Sequence, residues 1–425
     1  MKTPTFAALL TLTITLSIIC SATAKTLTPI LETQTATETR FISPEVFEQE
    51  QFGRAVAIDG NTAVLGAPNF AFTQNDGFGA AYVYVKTETG WQFQQKLTPF
   101  DAAPQKFFGM SVAVSGDTIV VGAHGDTNAG PVSGAAYVFE RIGGTWLHKQ
   151  KLTGSENSMG DVFGLSVAID GNTIVCGAWG NVQVFNTFGV GTAYVFNLIG
   201  NQWLETQKLS ASDAAENKAF GVTCAIDGDT IIVGATGDSE FKPFAGAVYV
   251  FTFDGSAWHE QAKLHAQSPD PQVIFGYRLD VSGDTIVVAS EGRAEPPLRF
   301  GAAYIFRRTP SGWHQQKKIT TDEVVVDGRP ENMGQFGLTV AVSGDRVVVG
   351  SPNDPTINYW SGSAFVYRRN GESSWALDQH IFPSDAARDD SFTSAMAMDG
   401  DTLLVGSWVK FSPLPFAGAG YIYEF

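Results

Sequence analysis

Seven positions follow a Gly-Ala pair or its variant and vary more than their surroundings: Pro68, His124, Trp179, Thr236, Glu291, Pro352 and Trp408. A variable position on a repeated frame is where a ligand would meet several copies of the frame at once. Trp179 and Trp408 are the tryptophans that no repeated pattern demands, and buried aromatic anchors concentrate binding energy. His124 stands two residues from Asp126, the one His–carboxylate neighbour pair among these segments. An imidazole beside a carboxylate suits proton transfer; the competing reading is a chance pair on a solvated loop. Asp126, Asp238 and Glu291 could act as acid and base on a sugar or ester if two faced each other across a pocket at ~5–10 Å with one desolvated. Splayed into solvent, the same groups would serve only binding. The sequence has no nucleophile motif, no metal-spaced His cluster and no phosphate-cradling glycine loop. Neither a metal nor a cofactor is expected.

The frame that positions these residues is a repeat. Phe52, Phe108, Phe163, Phe220, Phe275, Phe336 and Phe392 each open a short apolar segment, at a near-constant spacing broken only by a longer interval before Phe336. In the second unit, Phe108, Met110, Val112 and Val114 alternate with Gly109, Ser111, Ala113 and Ser115, the period of a strand. Gly116-Asp117 makes a tight turn, and Thr118 to Val121 form a second strand ending at Gly122-Ala123. A third strand follows at 134–139 and a fourth from Trp146 to Leu152. Trp91, Trp146, Trp203, Trp258, Trp313 and Trp375 recur at a fixed offset before Leu or Ile, and read as packing between units. Trp360 reads as packing too, because Phe244 and Phe416 hold equivalent places. His148, His259 and His314 follow repeat tryptophans and read as solvent-facing strand residues. Four antiparallel strands repeated radially predict an all-β, seven-bladed β-propeller spanning residues 36–425. The seventh unit stops at Phe425 after its third strand. Arg40-Phe41-Ile42 sits where Lys96-Leu97-Thr98 sits before Phe108, so an N-terminal strand is expected to complete the last blade and leave no open edge.

Residues 1–24 read as a signal peptide, with Lys2, an apolar run from Phe6 to Ile19 and Ala22-Thr23-Ala24 as a cleavage pattern. Residues 25–35 are then a short linker. The apolar run from Phe6 to Ile19 is well short of the ~20 residues a spanning helix needs, so the mature chain is expected to lack a transmembrane segment. It is expected to be a monomer, secreted into a periplasmic or extracellular space. Loss of Lys2 takes the net charge from −16 to −17, and a pI near 4.7 argues against nucleic-acid partners. Cys176 and Cys224 fill slots held elsewhere by Leu65, Val121 and Val56, Val112, so both read as small buried hydrophobes, with a disulfide left open.

Phe52-Gly53 followed by Gly66-Ala67-Pro68 resembles the FG-GAP repeat of integrin α-subunit propellers and their bacterial secreted relatives. The resemblance covers all seven units, with Ala289-Ser290 and Phe392-Thr393 departing from it. It implies a seven-bladed propeller and extracellular recognition or adhesion. Integrin-like repeats often carry acidic calcium loops between the first two strands. Here that connection is Asp59-Gly60-Asn61, Ser115-Gly116-Asp117 or a close analogue, and such two-residue turns cannot wrap about six or more oxygens around calcium. These aspartates read instead as turn formers.

In the family's geometry the loops between strands two and three share one face with those linking blades. The linking segments hold 16 acidic residues against 4 basic, and the others 7 against 4. That excess reads either as solubility or as a field drawing a basic partner. The expected function is non-enzymatic binding of an extracellular protein or glycan through this face, at His124, Asp126, Trp179, Asp238, Glu291 and Trp408. The alternative is a carbohydrate- or ester-active enzyme with carboxylates at the channel mouth.

Overall fold

The computed structural model describes residues 36–425 except 47, 70–77, 104, 181–188, 268–273, 292–300, 324–334, 373 and 411–413. The expected leader and linker lie outside the described residues. Seven four-stranded antiparallel sheets follow one another along the chain. Blade two shows the pattern: Ser111–Ser115, Thr118–Ala123, Ala135–Ile142 and Thr145–Leu152 run from the inside outward. The first strand of each blade touches the first strands of both neighbours, and Ala55–Asp59 touches Ala395–Asp399, so the inner strands close a ring around an axis. No helix among the described residues is long and apolar enough to cross a membrane.

Each hydrophobic cluster spans two blades. Trp146 packs with Phe108 and Tyr137 of its own blade and with Ala81, Val83 and Leu97 of the preceding one. Seven such clusters fill the seven junctions, which is why both faces of every sheet are apolar. In blades one to six the pairing of strands three and four slips by one residue, as at Val83/Tyr84 and Val138/Phe139. The extra residue of this bulge is aimed away from the ladder. Gln94, Gln261 and Gln316 occupy it and accept the indole N–H of Trp146, Trp313 and Trp375 in the next blade at 2.8, 3.0 and 3.2 Å. The repeated tryptophans are therefore joints between blades.

The Phe-Gly and Gly-Ala glycines permit blades to approach backbone to backbone. Gly53 has φ +82°, and a Cβ there would lie 2.5 Å from the Ala419 carbonyl oxygen; one on Gly66 would lie 2.0 Å from that of Gly109. Thr393, standing where other units have this first glycine, keeps φ +72° and donates its hydroxyl to the Ser363 carbonyl at 3.0 Å.

The last blade combines Ala395–Asp399, Thr402–Ser407 and Ala419–Glu424 with the N-terminal strand Thr37–Phe41. Thr37 pairs with Glu424 and Phe41 with Gly420. The strand ends at Phe41, one residue earlier than the sequence suggested. Phe41 is buried and stacks on Tyr84 of blade one at 4.5 Å, while Ile42 is 47% exposed and only its carbonyl is used, accepting from the Tyr84 hydroxyl at 2.9 Å. Cys176 and Cys224 are buried free thiols, the latter hydrogen-bonded to Ser166 at 3.3 Å.

The tight turns on the opposite face form a second closed circuit. Asp59 accepts the Gly116 N–H of the next blade at 2.6 Å, Ser115 that of Gly171 at 3.1 Å, and Asp170 that of Gly228 at 2.7 Å. Asp227, Ser282, Ser343 and Asp399 do the same for Gly283, Gly344, Gly400 and Gly60. Four aspartates and three serines thus each hold the neighbouring turn. Asp59→Ala should cost ~1 kcal/mol, the net worth of one such hydrogen bond, equally with and without calcium. A saturable rise in melting temperature at micromolar calcium, lost in Asp59→Ala or Asp227→Ala, would sink this assignment.

Candidate functional site

The loop face rests on a polar cluster that recurs blade by blade. Strand-three tyrosines and strand-four cations are direct cross-strand partners: Tyr82 with Lys96, Tyr137 with Lys151, Tyr249 with Lys263 and Tyr421 with Arg40. In blade two the cluster is a quintet. Asp126, 1% exposed, lies 2.9 Å from both Lys106 and Lys151, and the Tyr137 hydroxyl reaches it at 2.9 Å and Asp101 at 2.7 Å. Burial opposes ionisation of Asp126, but the two ammonium groups and the tyrosine outweigh it, holding the carboxyl below its usual range. Blade four repeats this with Asp238, Lys218, Lys263, Tyr249 and Asp213. Asp354 of blade six is fully buried, 3.3 Å from His380, and receives the Ser363 hydroxyl.

Blade seven carries the quintet with one pair reversed. Lys410 stands in the slot of Asp126 and Asp390 in the slot of Lys106, 2.6 Å apart, while Asp385, Tyr421 and Arg40 match Asp101, Tyr137 and Lys151. A pair that works in either polarity is held by mutual neutralisation rather than by chemistry on a ligand. The structure thus sets Asp126 and Asp238 in separate quintets, each beneath its own loop, and the carboxylate each one meets is Asp101 or Asp213, joined to it through two shared lysines and a tyrosine. It also changes the charge count of the face. Glu45, Asp101, Glu156, Asp213 and Asp385 of the linking loops pair with Lys96, Lys151, Lys208, Lys263 and Arg40, cations that belong to strand four and escape a count restricted to loops.

His124 does not meet Asp126. Its ring stacks on Phe107 at 5.1 Å with 10° between planes, its Nδ1 has no hydrogen-bond partner among the described residues, and burial pulls its pKa down to about 4. Trp179, Glu291 and Trp408 are half-buried at the ends of their second strands. Burial raises the Glu291 carboxyl above its usual range, against the pull of Arg278. Trp408 lies under Arg54, whose guanidinium carbon is 4.3 Å from the ring centre.

Two features of this face escaped the sequence reading. Trp360 is 45% exposed rather than packed, stacking on Tyr359 at 4.8 Å beside exposed Ile357, with Arg388 over the Tyr359 ring at 5.1 Å. Phe244 shares its positive φ and its exposure, so the shared slot signalled a backbone conformation, not burial. The second feature is axial. Arg54, one residue before the inner strand of blade one, and Arg278, within the inner strand Phe275–Ser282 of blade five, feel each other's charge. Burial first, then Arg278, push the Arg54 guanidinium below its usual range. Arg278 lies 4.6 Å from the centre of the Tyr277 ring.

A family model described as FG-GAP repeat matches seven times, over residues 37–84, 91–139, 146–196, 203–251, 258–306, 313–367 and 375–423. Each match starts at a strand four and ends in the next strand three, the same offset that closes the ring. No curated protein sequence matches the chain. Among solved structures, a chain in the crystal structure of a mitotic checkpoint complex aligns with TM-score 0.53 and 10% identity, covering 97% of this chain and 99% of that one. The crystal structure of Saccharomyces cerevisiae Sqt1 aligns with TM-score 0.45 and 12% identity, covering 85% and 82%. With so few identical residues, the former speaks to the fold alone.

Proposed function

The chain belongs to the FG-GAP repeat family, and from that membership we propose that it is a secreted, non-enzymatic recognition or adhesion module. In this reading residues 1–24 are a cleaved leader, residues 36–425 are the binding domain, and an extracellular protein or glycan docks on the loop face. The observation that carries the reading is the pairing of rigid foundations with exposed aromatic tips on one face. Buried ion pairs pin these loops: Phe241 and Phe244 stand exposed on the loop over the quintet of blade four, and Ile357, Tyr359 and Trp360 on the loop over the Asp354–His380 pair of blade six. Aromatic side chains held on rigid supports lose little entropy on binding. Trp408 and Trp179 serve as anchors nearer the axis, with Glu291 beside them. His124, Asp126 and Asp238 contribute by positioning the loops that carry the contacts. In this reading Asp126 and Asp238, each held by two lysines, serve the loops rather than acid–base chemistry.

The test is a protein and glycan array probed with the mature chain. Trp408→Ala, Trp179→Ala and Trp360→Ala should each weaken capture by ~2 kcal/mol, roughly 30-fold. Added salt should slow capture of a basic partner. Asp117→Ala, on the turn face, should bind as the parent does. Normal binding by the tryptophan variants, with loss in Asp117→Ala, would place the site on the wrong side of the ring.

A further inference from the structure

Most of the described arginines of this protein are paired. Arginines 40, 141, 307, 308, 346, 368 and 388 each have a carboxylate within ion-pair distance. Arg369 gives its guanidinium to the Gly344 carbonyl on the turn face at 3.1 Å. Arg54 and Arg278 are the remaining two among the described residues. Both are half-buried at the loop-face end of the inner strands, and they belong to blades one and five. Glu291 feels the charge of Arg278, yet no carboxylate among the described residues comes within ion-pair distance of either arginine. Two like charges that feel each other from half-buried positions repel, and a protein of net charge −16 has carboxylates to spare for quenching them.

What the site does offer the guanidinium groups is aromatic support. Arg54 lies over Trp408 and Arg278 over Tyr277, at 4.3 and 4.6 Å. Stacking on a ring fixes the guanidinium plane and leaves its in-plane N–H edge free for a bidentate acceptor. Arg278 spends one donor on the Tyr277 carbonyl at 3.1 Å, and Arg54 spends none of its side-chain donors within the described residues.

We infer that Arg54 and Arg278, backed by Trp408 and Tyr277, form an axial receptor for a single carboxylate presented by a basic protein segment. The carboxylate follows from two unpaired, aromatic-backed guanidinium groups. The basic surroundings of that carboxylate follow from the overall charge of −16, which repels polyanions and favours cationic partners. A polyuronate would meet the two arginines favourably and everything around them unfavourably. This assignment rests on the loop face being the binding face and adds the chemistry of its central contact.

The experiment uses the mature chain and two N-acetylated tetrapeptides, Lys-Gly-Lys-Gly as the free acid and as the C-terminal amide, with tryptophan fluorescence and calorimetry as readouts. The acid should bind at least ~10-fold tighter than the amide, the value of one strong charge-assisted contact. Arg54→Gln and Arg278→Gln should each abolish that difference, and Arg54→Lys should keep only part of it, since an ammonium lacks the fork. Acetate should compete with the acid peptide on the unmodified protein, an arm that requires no variant to fold. Equal binding of acid and amide, no binding of either up to about 10 mM, a regime of about −3 kcal/mol, or tighter binding of oligogalacturonate than of the acid peptide overturns the assignment. If Arg54→Gln leaves array capture intact while Trp179→Ala and Trp408→Ala lose it, the carboxylate receptor falls and the loop-face reading stands.

Discussion

A chain lacking residues 36–43 will unfold at a much lower temperature and denaturant concentration than the complete propeller. The deleted strand supplies the ladder from Thr37↔Glu424 to Phe41↔Gly420. It also supplies Phe41, which packs on Tyr84 and Trp91 of blade one, so two blades are injured at once. Removing one buried aromatic side chain alone costs ~3–5 kcal/mol, and the deletion further exposes the edge of Ala419–Glu424. Polar ties go too: Glu38 accepts from Ser384 N–H at 3.0 Å and from the Tyr423 hydroxyl at 3.0 Å. Because seven junctions share one ring, the loss should appear as reduced stability of the whole unit rather than fraying of one blade. A synthetic peptide of residues 36–43 added in excess should restore part of the melting temperature by mass action. A truncated chain that melts with the parent would mean the ring closes by some other strand.

Asp126→Ala is expected to be the most damaging single substitution on the loop face, lowering stability by ~3 kcal/mol, because it leaves the largely buried Lys106 and Lys151 to share one carboxylate, Asp101. An uncompensated buried charge is what makes broken internal ion pairs costly. The reversed pair of blade seven supplies the control. Lys106→Asp combined with Asp126→Lys rebuilds in blade two the arrangement that Asp390 and Lys410 hold beside Asp385, Tyr421 and Arg40. The double variant should recover most of what Asp126→Ala and Asp126→Lys lose. Equal instability of the double variant and Asp126→Lys would show that the site requires a particular polarity. The quintets also set an acid limit. Burial pushes the carboxyls of Asp126, Asp238, Asp101 and Asp213 up, but their lysine partners, helped by a tyrosine hydroxyl at all but Asp238 and by the Glu240 N–H there, hold them below their usual range. Their contribution is therefore fully present above the unfolded carboxylate range near pH ~4, and is lost as pH falls through the lower folded values. Melting followed from mildly acidic pH down to about pH 2 should show a steeper decline in the parent than in a variant lacking one quintet.

What could be read in the sequence is what repeats locally. Phe-Gly, the two-residue turn and Gly-Ala fall within one short stretch of each unit, so strand order, blade number and ring closure were all legible, as was the role of the spaced tryptophans. The site was legible only in part. His124 and Asp126 look like partners because they are near neighbours in the chain, yet on a strand exit such neighbours diverge. The true partners of Asp126 are Lys106 and Lys151, which lie on other segments and are brought in by the linking loop and the outermost strand. The same separation hid the neutralisation of the acidic loops. Arg54 and Arg278 were harder still: nothing in either local sequence signals the other, and only closure of seven blades sets their inner strands around one axis. Trp360 misled for a different reason, because its repeat position fixes a positive φ while leaving the side chain free.

The N-terminal strand also decides how the ring responds to being pulled. Thr37 lies opposite Glu424, at the open end of an antiparallel pair, so tension applied between the two chain ends would part the seam one hydrogen-bonded pair at a time. A load shared by every pair at once would require pulling along the strands in opposite directions, which this register does not present to the ends. A tether at one end only leaves the seam unloaded. The propeller is therefore suited to hang from a single attachment and unsuited to serve as a link in a chain under strain.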